Sequence, residues 1–123
     1  MLGINDIGIH GVDRTLENWQ ILVDKIRQAN PDIQIYIQSM TPMWSGAELR
    51  KLNNANIHAC NFALRFFCEQ NNCGFIDICP YLQDGSGGLA KEYCSDRYVH
   101  ITQSGVDVWI SVLRAYAYYP DEQ

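Results

Sequence analysis

The sequence predicts an α/β fold with a parallel sheet of about three strands and helices that flank it. Two observations support this prediction: short apolar segments alternate with longer amphipathic ones, and Gly, Pro or Asn separates most of them. Strands that alternate with helices of this length are joined by right-handed crossovers, which produce a parallel sheet. Three strands are few for a parallel sheet, so the pattern indicates a sheet that has been cut short.

The first elements of the chain are a short strand, a loop and a helix. Residues 2–5 are apolar and favour the end of a buried strand, while the glycine-containing residues 7–12 favour a loop. Apolar side chains then recur at helical spacing over residues 13–29. Asp13 is the expected N-cap of this helix, and Pro31 is expected to stop it.

The remaining elements continue the alternation. Residues 33–37 alternate in polarity and are rich in β-branched and aromatic side chains, as is typical of a strand. A long helix is expected over residues 45–71, and a second apolar run over residues 74–78 predicts another strand. Residues 84–88 have the composition of a loop, and a final helix is expected over residues 102–118.

Length, composition and charge exclude several classes of protein. At 123 residues, with 47% hydrophobic and 19% charged residues, the chain is expected to form one partial domain, residues 1–123, with a packed core. A formal charge of −5 argues against nucleic acid and against a polybasic membrane contact. No run approaches the roughly 18 apolar residues of a membrane span, and no signal peptide is recognised. We therefore expect a cytoplasmic protein, with a secreted parent left open.

The cysteine content favours reduced thiols over disulfides or a metal site. Five is an odd number, and the spacing is not that of a disulfide framework. Zinc ligands usually pair at short C-x2-C type spacings, which are absent here, so we expect no metal and no cofactor. The cysteines, and the one histidine near enough for a zinc set, are Cys60, Cys68, Cys73, Cys79, Cys94 and His58.

Two motifs place polar side chains where α/β proteins bind ligands. Gly3-Ile4-Asn5-Asp6 opens the chain, and Asp96-Arg-Tyr-Val-His100 precedes the last helix. The first resembles the Gly-x-Asn-Asp block of the SGNH (GDSL-type) lipase, esterase and acylhydrolase family, and the second resembles that family's C-terminal Asp/His block. Residues 35–42, Asn61, residues 75–78 and residues 84–89 follow the family's order as well. The resemblance implies a three-layer, flavodoxin-like fold, here truncated.

The resemblance also implies roles for three residues. Asn5 would be an oxyanion donor, His100 the general base, and Asp96 the acid that orients His100. The family usually has its Asp three residues before the His, where this chain has Arg97, so Glu92 stays open as an alternative acid. Taken alone, Asn5 would suit an Asx turn equally well.

No nucleophile is expected within the chain. The family's Gly-Asp-Ser block should lie upstream of Met1. Ser39 lacks glycine neighbours, and Ser86 lacks the strand-to-helix turn that a nucleophilic serine needs. We therefore expect the chain to be inactive by itself.

The resemblance further implies an ester substrate. Gly3, Met43 and Trp44 are the expected lining of its pocket, although loop side chains of this kind equally often just cover a core.

Two functions from different classes fit the sequence. One is the C-terminal part of a serine ester hydrolase, and the other is a non-catalytic α/β association module. In both cases residues 2–5 would be an exposed edge strand, which predicts a homo-oligomer formed through the N-terminal edge.

Overall fold

The structure is a computed structural model that describes residues 3–118. The helices in this range are α1 (Ile4–His10), α2 (Val12–Ala29), α3 (Asn54–Gln70), α4 (Cys79–Leu82) and α5 (Gln103–Tyr118). The strands are β1 (Tyr36–Gln38) and β2 (Gly74–Ile76), and short 3₁₀ turns lie at Ser45–Ala47 and Lys91–Tyr93. The α/β class predicted from the sequence is confirmed.

The sheet is smaller than predicted. Within residues 3–118 it has two strands, which pair in parallel with Tyr36 opposite Gly74 and Gln38 opposite Ile76. Both strands fall inside or next to the predicted segments 33–37 and 74–78. The strand that was expected nearest the N-terminus is not formed in the described residues.

The N-terminal segment is helical where a strand and a loop were predicted. Gly3 has a φ of 106° and precedes α1, in which Ile4 and Ile7 are both buried. Side chains three residues apart share one face of a helix but lie on opposite faces of a strand, so the burial of both fits only the helix. The predictions for residues 2–5 and 7–12 are therefore wrong where the structure describes them; residue 2 lies outside the described residues.

Gly11 separates the first two helices. Its φ of 82° is readily available only to glycine, and its N–H closes α1 by donating to the Ile7 carbonyl oxygen at 2.9 Å. α2 confirms the predicted helix and ends at Asn30, before the proline. Asp13 does not cap it, because Gly11 occupies the N-cap and Asp13 lies in the first turn, where a carboxylate favours the helix dipole.

The long helix starts later than predicted. α3 begins at Asn54 rather than near residue 45, because Asn53 caps it: the Asn53 side chain accepts a hydrogen bond from the Asn56 N–H at 2.8 Å. Leu49, which the spacing assigned to the buried stripe of this helix, is 59% exposed. Local capping by asparagine therefore decided the helix start against the apolar spacing.

The elements after β2 are mostly as predicted. α5 confirms the final helix, and residues 84–88 form the expected loop around the Asp84 side chain, which accepts from the Ser86 N–H at 2.8 Å. The short helix α4 was not predicted. Its first turn is completed by the buried Ser39 hydroxyl oxygen, which accepts from the N–H groups of Ile78 and Cys79, both at 2.9 Å.

Helices cover both faces of the small sheet. On one face Ile37 joins the core cluster together with Val23 of α2 and Leu64 of α3. On the other face α5 reaches β1, where the Trp109 indole N–H donates to the Gln38 side-chain oxygen at 2.7 Å. The three-layer arrangement implied by the family resemblance is therefore present. No helix in residues 3–118 combines the length and apolar character needed to cross a bilayer.

The five cysteines all lie in the described range, and all are free. Cys60, Cys68 and Cys79 are buried, and burial raises their pKa values to about 11, about 12 and about 12. Cys73 and Cys94 are half-buried. Because the thiolate is the reactive form, the three buried thiols should be inert in the folded protein.

We predict that a thiol reagent at neutral pH modifies at most two cysteines, Cys73 and Cys94, in the native protein and all five after denaturation. Mass analysis of the modified protein under both conditions measures this difference. Two or more disulfides in non-reduced samples would contradict the prediction.

Candidate active site

The Asp96 and His100 side chains are bonded to each other. The Asp96 Oδ2 atom makes a short hydrogen bond with His100 Nδ1. The other oxygen, Oδ1, accepts from the backbone N–H of Tyr98 at 2.9 Å and from that of His100 at 3.3 Å. A single carboxylate therefore holds both the imidazole and the turn that carries it, which we call the Asp96–His100 loop (residues 96–100).

The backbone of the loop accommodates the additional residue that separates this chain from the family's usual spacing. Arg97 adopts a left-handed conformation with a φ of 55°, which is uncommon for a residue other than glycine. The ends of the loop are closed by the Ser95 N–H, which donates to the His100 carbonyl oxygen at 3.0 Å, and by an antiparallel bridge between Cys94 and Ile101. The four-residue spacing thus still brings carboxylate and imidazole together.

The electrostatics of the pair determine which imidazole nitrogen carries the proton. The hydrogen bond from His100 is the main cause that lowers the pKa of Asp96, so the carboxylate is ionised at neutral pH. An ionised carboxylate can only accept, which assigns the proton to His100 Nδ1. Nε2 is then a free acceptor; it makes no hydrogen bond within residues 3–118, and the His100 side chain is 75% exposed.

Glu92, the alternative acid, is used differently. Its backbone carbonyl oxygen accepts from the Thr102 hydroxyl at 2.8 Å, and its carboxylate is not bonded to His100. The Thr102 oxygen also accepts from the Gly105 N–H at 3.2 Å, so Thr102 caps α5. Of the two candidate acids, Asp96 is the one that contacts the imidazole.

Asn5 and Gly3 lie at the start of α1. Asn5 is exposed in the first turn, and its side-chain amide makes no hydrogen bond within the described residues. Gly3 is buried, and a Cβ atom on it would lie 2.7 Å from the Met40 sulfur, so only glycine fits without a shift of Met40. Asn5 is therefore free to donate to a ligand, and Gly3 allows the close approach of α1 to the residues after β1.

The residues after β1 are buried without being helix or strand. We call residues 39–44 the connecting segment, because they join β1 to the 3₁₀ turn at Ser45. Buried backbone groups must find partners, and here two side chains of α3 supply them. Asn61 accepts from the Met40 N–H at 2.7 Å and donates to the Met40 carbonyl at 2.9 Å, and Asn54 bonds both groups of Met43 at 2.8 and 2.9 Å.

The connecting segment contacts both parts of the predicted site. Met40 packs against Gly3 at the start of α1, and the Trp44 N–H donates to the Tyr98 carbonyl oxygen in the Asp96–His100 loop at 2.7 Å. The Met43 side chain is fully buried in the core. Trp44 is half-exposed beside the loop.

Sequence reasoning missed the part that asparagines play in this arrangement. Asn54 was not singled out, and Asn61 was noted only for its match to the family. The available signal was two asparagines seven residues apart, on one face of a helix whose neighbouring positions are apolar. Buried polar groups of this kind must be hydrogen-bonded, which points to a partner outside the helix.

Three serines of the described range have hydrogen-bond partners other than the His100 imidazole. The Ser39 oxygen accepts from two N–H groups at the start of α4, and the Ser86 hydroxyl donates to the Asp84 carboxylate at 2.7 Å. Ser95 is adjacent to the Asp96–His100 loop, but its hydroxyl donates to the His100 carbonyl oxygen at 3.2 Å. No serine of residues 3–118 donates to the His100 imidazole.

The residues considered for zinc do not assemble into a site. Within the described part of the chain, no three His, Cys, Asp or Glu side chains come together as metal ligands. His58 instead bonds the Gly87 carbonyl oxygen through Nε2 at 2.8 Å, and its Nδ1 lies 3.9 Å from the Cys79 sulfur. His58 thus connects α3 to the loop over residues 84–88.

The sequence matches the model of a known family. A model of the GDSL-like Lipase/Acylhydrolase family matches residues 1–108. The match covers most of the chain, which therefore belongs to this family, and the resemblance carried by the two motifs is confirmed. No curated protein sequence matches the chain.

Several solved structures share the fold. A protein from Streptococcus pneumonia, provisionally described as a platelet activating factor, is 25% identical with a TM-score of 0.81 over 93% of this chain. A GDSL-like lipase from Bacteroides thetaiotaomicron is 20% identical with a TM-score of 0.71 over 89%. An acetyl esterase, solved as a serine-to-alanine mutant with acetate ion, is 20% identical with a TM-score of 0.72 over 100%. The SGNH-hydrolase fold is therefore confirmed.

The chain is much shorter than these structures. It covers 56%, 56% and 58% of the three matched chains, so it spans little more than half of their length. The activities of the longer proteins are therefore not transferred to this chain by the match alone.

The Asp96 carboxyl is predicted to titrate below its ordinary pKa of 3.8. A folded-state pKa below the unfolded value means that the ionised carboxylate stabilises the loop at neutral pH, and that this contribution is lost as the pH falls through the folded-state pKa. His100→Ala removes the main cause, so the pKa of Asp96 should rise toward 3.8 in that variant. Carboxyl ¹³C titration by NMR measures both values.

Asp84 is the internal control for this titration. Its pKa is also lowered, chiefly by the hydrogen bond from Ser86, and it should not respond to His100→Ala. An Asp96 pKa that is ordinary in the wild type and unchanged in the variant would contradict the assignment of the pair.

Proposed function

We propose that this chain supplies the base part of a serine ester-hydrolase site. His100 is the general base, Asp96 orients it, and the Asn5 amide is one donor to the oxyanion. The observation that supports this most directly is the Asp96–His100 pair, whose free, exposed Nε2 can accept a proton. Membership of the GDSL-like family gives the reaction class, and we treat residues 1–123 as one partial domain of that fold.

The proposed chemistry is acyl transfer. A serine hydroxyl gives its proton to His100 Nε2 as its oxygen attacks the ester carbonyl carbon, while the carbonyl oxygen takes up negative charge. The ionised Asp96 stabilises the imidazolium that forms and keeps the ring oriented. The Asn5 side-chain N–H is unpaired in residues 3–118, so it can donate to the developing oxyanion.

The nucleophile is proposed to come from outside the described residues. Ser39 and Ser86 have other partners, and no described serine reaches the imidazole. The family's Gly-Asp-Ser block has no counterpart in this sequence. We therefore propose that the chain does not hydrolyse esters by itself, and that residues Gly3 and Trp44 border the substrate pocket of the complete site.

The substrate class follows from the family. Acyl esters of lipids, acetylated sugars and small esters all fit a serine mechanism that needs no cofactor. We also propose cytoplasmic residence, because the five cysteines are free thiols.

A non-catalytic association module is the second candidate, and an open sheet edge favours it. The Gly74 N–H of β2 donates to the Ile35 carbonyl oxygen at 2.8 Å, and the Ser39 N–H donates to the Ile76 carbonyl oxygen of β2 at 2.9 Å. The alternate residues Tyr36 and Gln38 therefore direct their backbone groups away from β2. Among the described residues no strand pairs with that edge. The exposed edge proposed for residues 2–5 is thus replaced by the outer edge of β1.

The catalytic proposal predicts no saturable hydrolysis of p-nitrophenyl acetate by the purified chain. The loss of a single oxyanion donor typically costs about 10²–10³ in rate, and here the nucleophile is absent as well. The rate should equal that of the His100→Ala variant. Saturable hydrolysis that this substitution abolishes would show that the chain contains its own nucleophile.

The same proposal predicts activity in a chimera. The part of the acetyl esterase that its match to this chain does not span is fused ahead of this chain, and p-nitrophenyl acetate is the substrate. His100→Ala should then lower kcat by about 10²–10⁴. A folded, active chimera that tolerates His100→Ala would contradict the role of His100.

The association proposal predicts a homodimer or a larger oligomer that uses the β1 edge, because unpaired strand edges promote association. Light scattering at micromolar concentrations measures the mass. Tyr36→Lys, at the edge, should shift the protein toward monomer, whereas Tyr81→Lys should not; the two tyrosines are similarly exposed, at 52% and 57%, and Tyr36→Lys also removes a ring contact with Tyr116. A monomeric wild-type protein would contradict this prediction.

A further inference from the structure

We propose that the backbone N–H of Trp44, held in place by Asn54, positions the Asp96–His100 pair. The proposal rests on the proposed role of His100 as a base. It concerns the main chain of Trp44, and it is separate from any contact that the indole makes with a substrate.

The hydrogen bonds that Asp96 and Ser95 make with Tyr98 and His100 are internal to the Asp96–His100 loop and its preceding residue. The bonds of Asp96 and Ser95 to His100 hold the loop's internal shape, but they all lie within residues 95–100. Outside these bonds the loop is anchored by the packing of Tyr98 and Val99 against the core cluster, which is apolar and fixes no direction for the Tyr98 peptide. The direction of the exposed imidazole therefore depends on what ties the loop to the rest of the fold.

A backbone hydrogen bond ties the Asp96–His100 loop to the connecting segment. The Tyr98 peptide groups face both ways: the N–H donates to Asp96 Oδ1 at 2.9 Å, and the carbonyl oxygen accepts from the Trp44 N–H at 2.7 Å. The Trp44 bond is the shorter of the two and connects residues 54 positions apart in sequence. One residue therefore links the carboxylate that holds His100 to the connecting segment.

The residue before Trp44 is held in place by a buried side chain. Met43, its neighbour, is fixed at both backbone groups by the buried Asn54 side chain, at 2.8 and 2.9 Å. The Met43 carbonyl oxygen also accepts from the Leu89 N–H at 2.9 Å. A donor held by a satisfied, buried polar arrangement keeps its direction, which is what a positioning contact requires.

The indole of Trp44 is directed elsewhere. A Cβ atom on Gly46 would lie 3.1 Å from the indole nitrogen, so the ring is folded over the 3₁₀ turn that follows. The contact with the loop is thus made by the main chain, and the two functions of Trp44 can be separated by substitution.

The backbone of Trp44 allows a clean test. Its φ of −59° and ψ of 123° match the conformation that proline adopts, so Trp44→Pro removes the N–H without forcing the local backbone. Trp44→Ala is the matched control, because it removes the same indole and keeps the N–H. The readout is the tautomer of His100 in the full 123-residue chain, measured by ¹⁵N NMR of the imidazole nitrogens, with the His100→Ala spectrum identifying the signals.

We expect the Nδ1–H tautomer to dominate in the wild type and in Trp44→Ala, because the bond to Asp96 fixes the proton. In Trp44→Pro the Nδ1–H form should become a minority, because Tyr98, whose carbonyl oxygen the Trp44 N–H holds, also donates to Asp96 Oδ1, so its release loosens the carboxylate that fixes the proton. A folded Trp44→Pro protein that keeps the Nδ1–H form would overturn the proposal, as would an equal loss in Trp44→Ala.

A second pair of variants covers the case in which Trp44→Pro does not fold. Asn54→Ala removes the support of Met43, whereas Asn53→Ala removes the cap of the same helix and two bonds to the Leu49 and Arg50 carbonyls, none of which involves Met43. The Nδ1–H form should decrease in Asn54→Ala and not in Asn53→Ala; equal tautomer populations in the two folded variants would overturn the proposal. Because the readout is a tautomer and no ester is present, failure of this test is distinct from failure of the proposed hydrolase function.

Discussion

The structure depends on how the buried backbone of the connecting segment is satisfied. Residues 39–43 are buried but belong to no helix or strand. Apart from the Ser39 N–H, which donates to Ile76, and the Met43 carbonyl, which accepts from Leu89, their backbone groups therefore need partners outside the regular elements. Leaving one such group unpaired costs about 1–3 kcal/mol. Asn54 and Asn61 bond both backbone groups of Met43 and Met40, and Ser39 uses its hydroxyl oxygen for the start of α4. Side chains thus supply hydrogen bonds that a third strand or a longer helix would otherwise provide to this backbone.

This arrangement connects both motifs, which lie at opposite ends of the chain, to the same segment. The connecting segment packs against Gly3 at one end and bonds Tyr98 at the other, so α1 and the Asp96–His100 loop are placed against one short stretch of backbone. In open α/β sheets ligands bind beyond the carboxyl ends of the strands, and the connecting segment begins where β1 ends. The location of the candidate site therefore follows from β1 and from what holds its continuation.

The small size of the sheet explains why a strand edge is open. Two parallel strands are fewer than parallel sheets normally contain, yet both faces are covered: Ile37 faces the core with α2 and α3, and α5 bonds Gln38. Within residues 3–118 no strand pairs with the outer edge of β1 or with that of β2. The chain spans little more than half of its structural relatives, and an open edge is what a part of a larger sheet presents.

The sequence by itself determined the α/β class, the helices α2 and α5, both strands of the sheet and the family. It also singled out Asp96 and His100, because polar residues in a fixed order before a helix are readable without a structure.

The wrong predictions concerned local structure. Residues 3–5 and 7–12 were misjudged because the burial of Ile4 and Ile7 has a period that a four-residue window does not reveal, and α3 was started too early because Asn53 capped it later than the apolar spacing indicated. The tertiary structure alone decided that Arg97 turns left-handed so that Asp96 reaches the imidazole, that Met43 is core, and that Asn54 and Asn61 hold the connecting segment. These are contacts between residues far apart in the chain, or hydrogen bonds from side chains to backbone groups. Every residue type offers nearly the same backbone groups, so the residue that receives such a bond carries no recognisable pattern in the sequence.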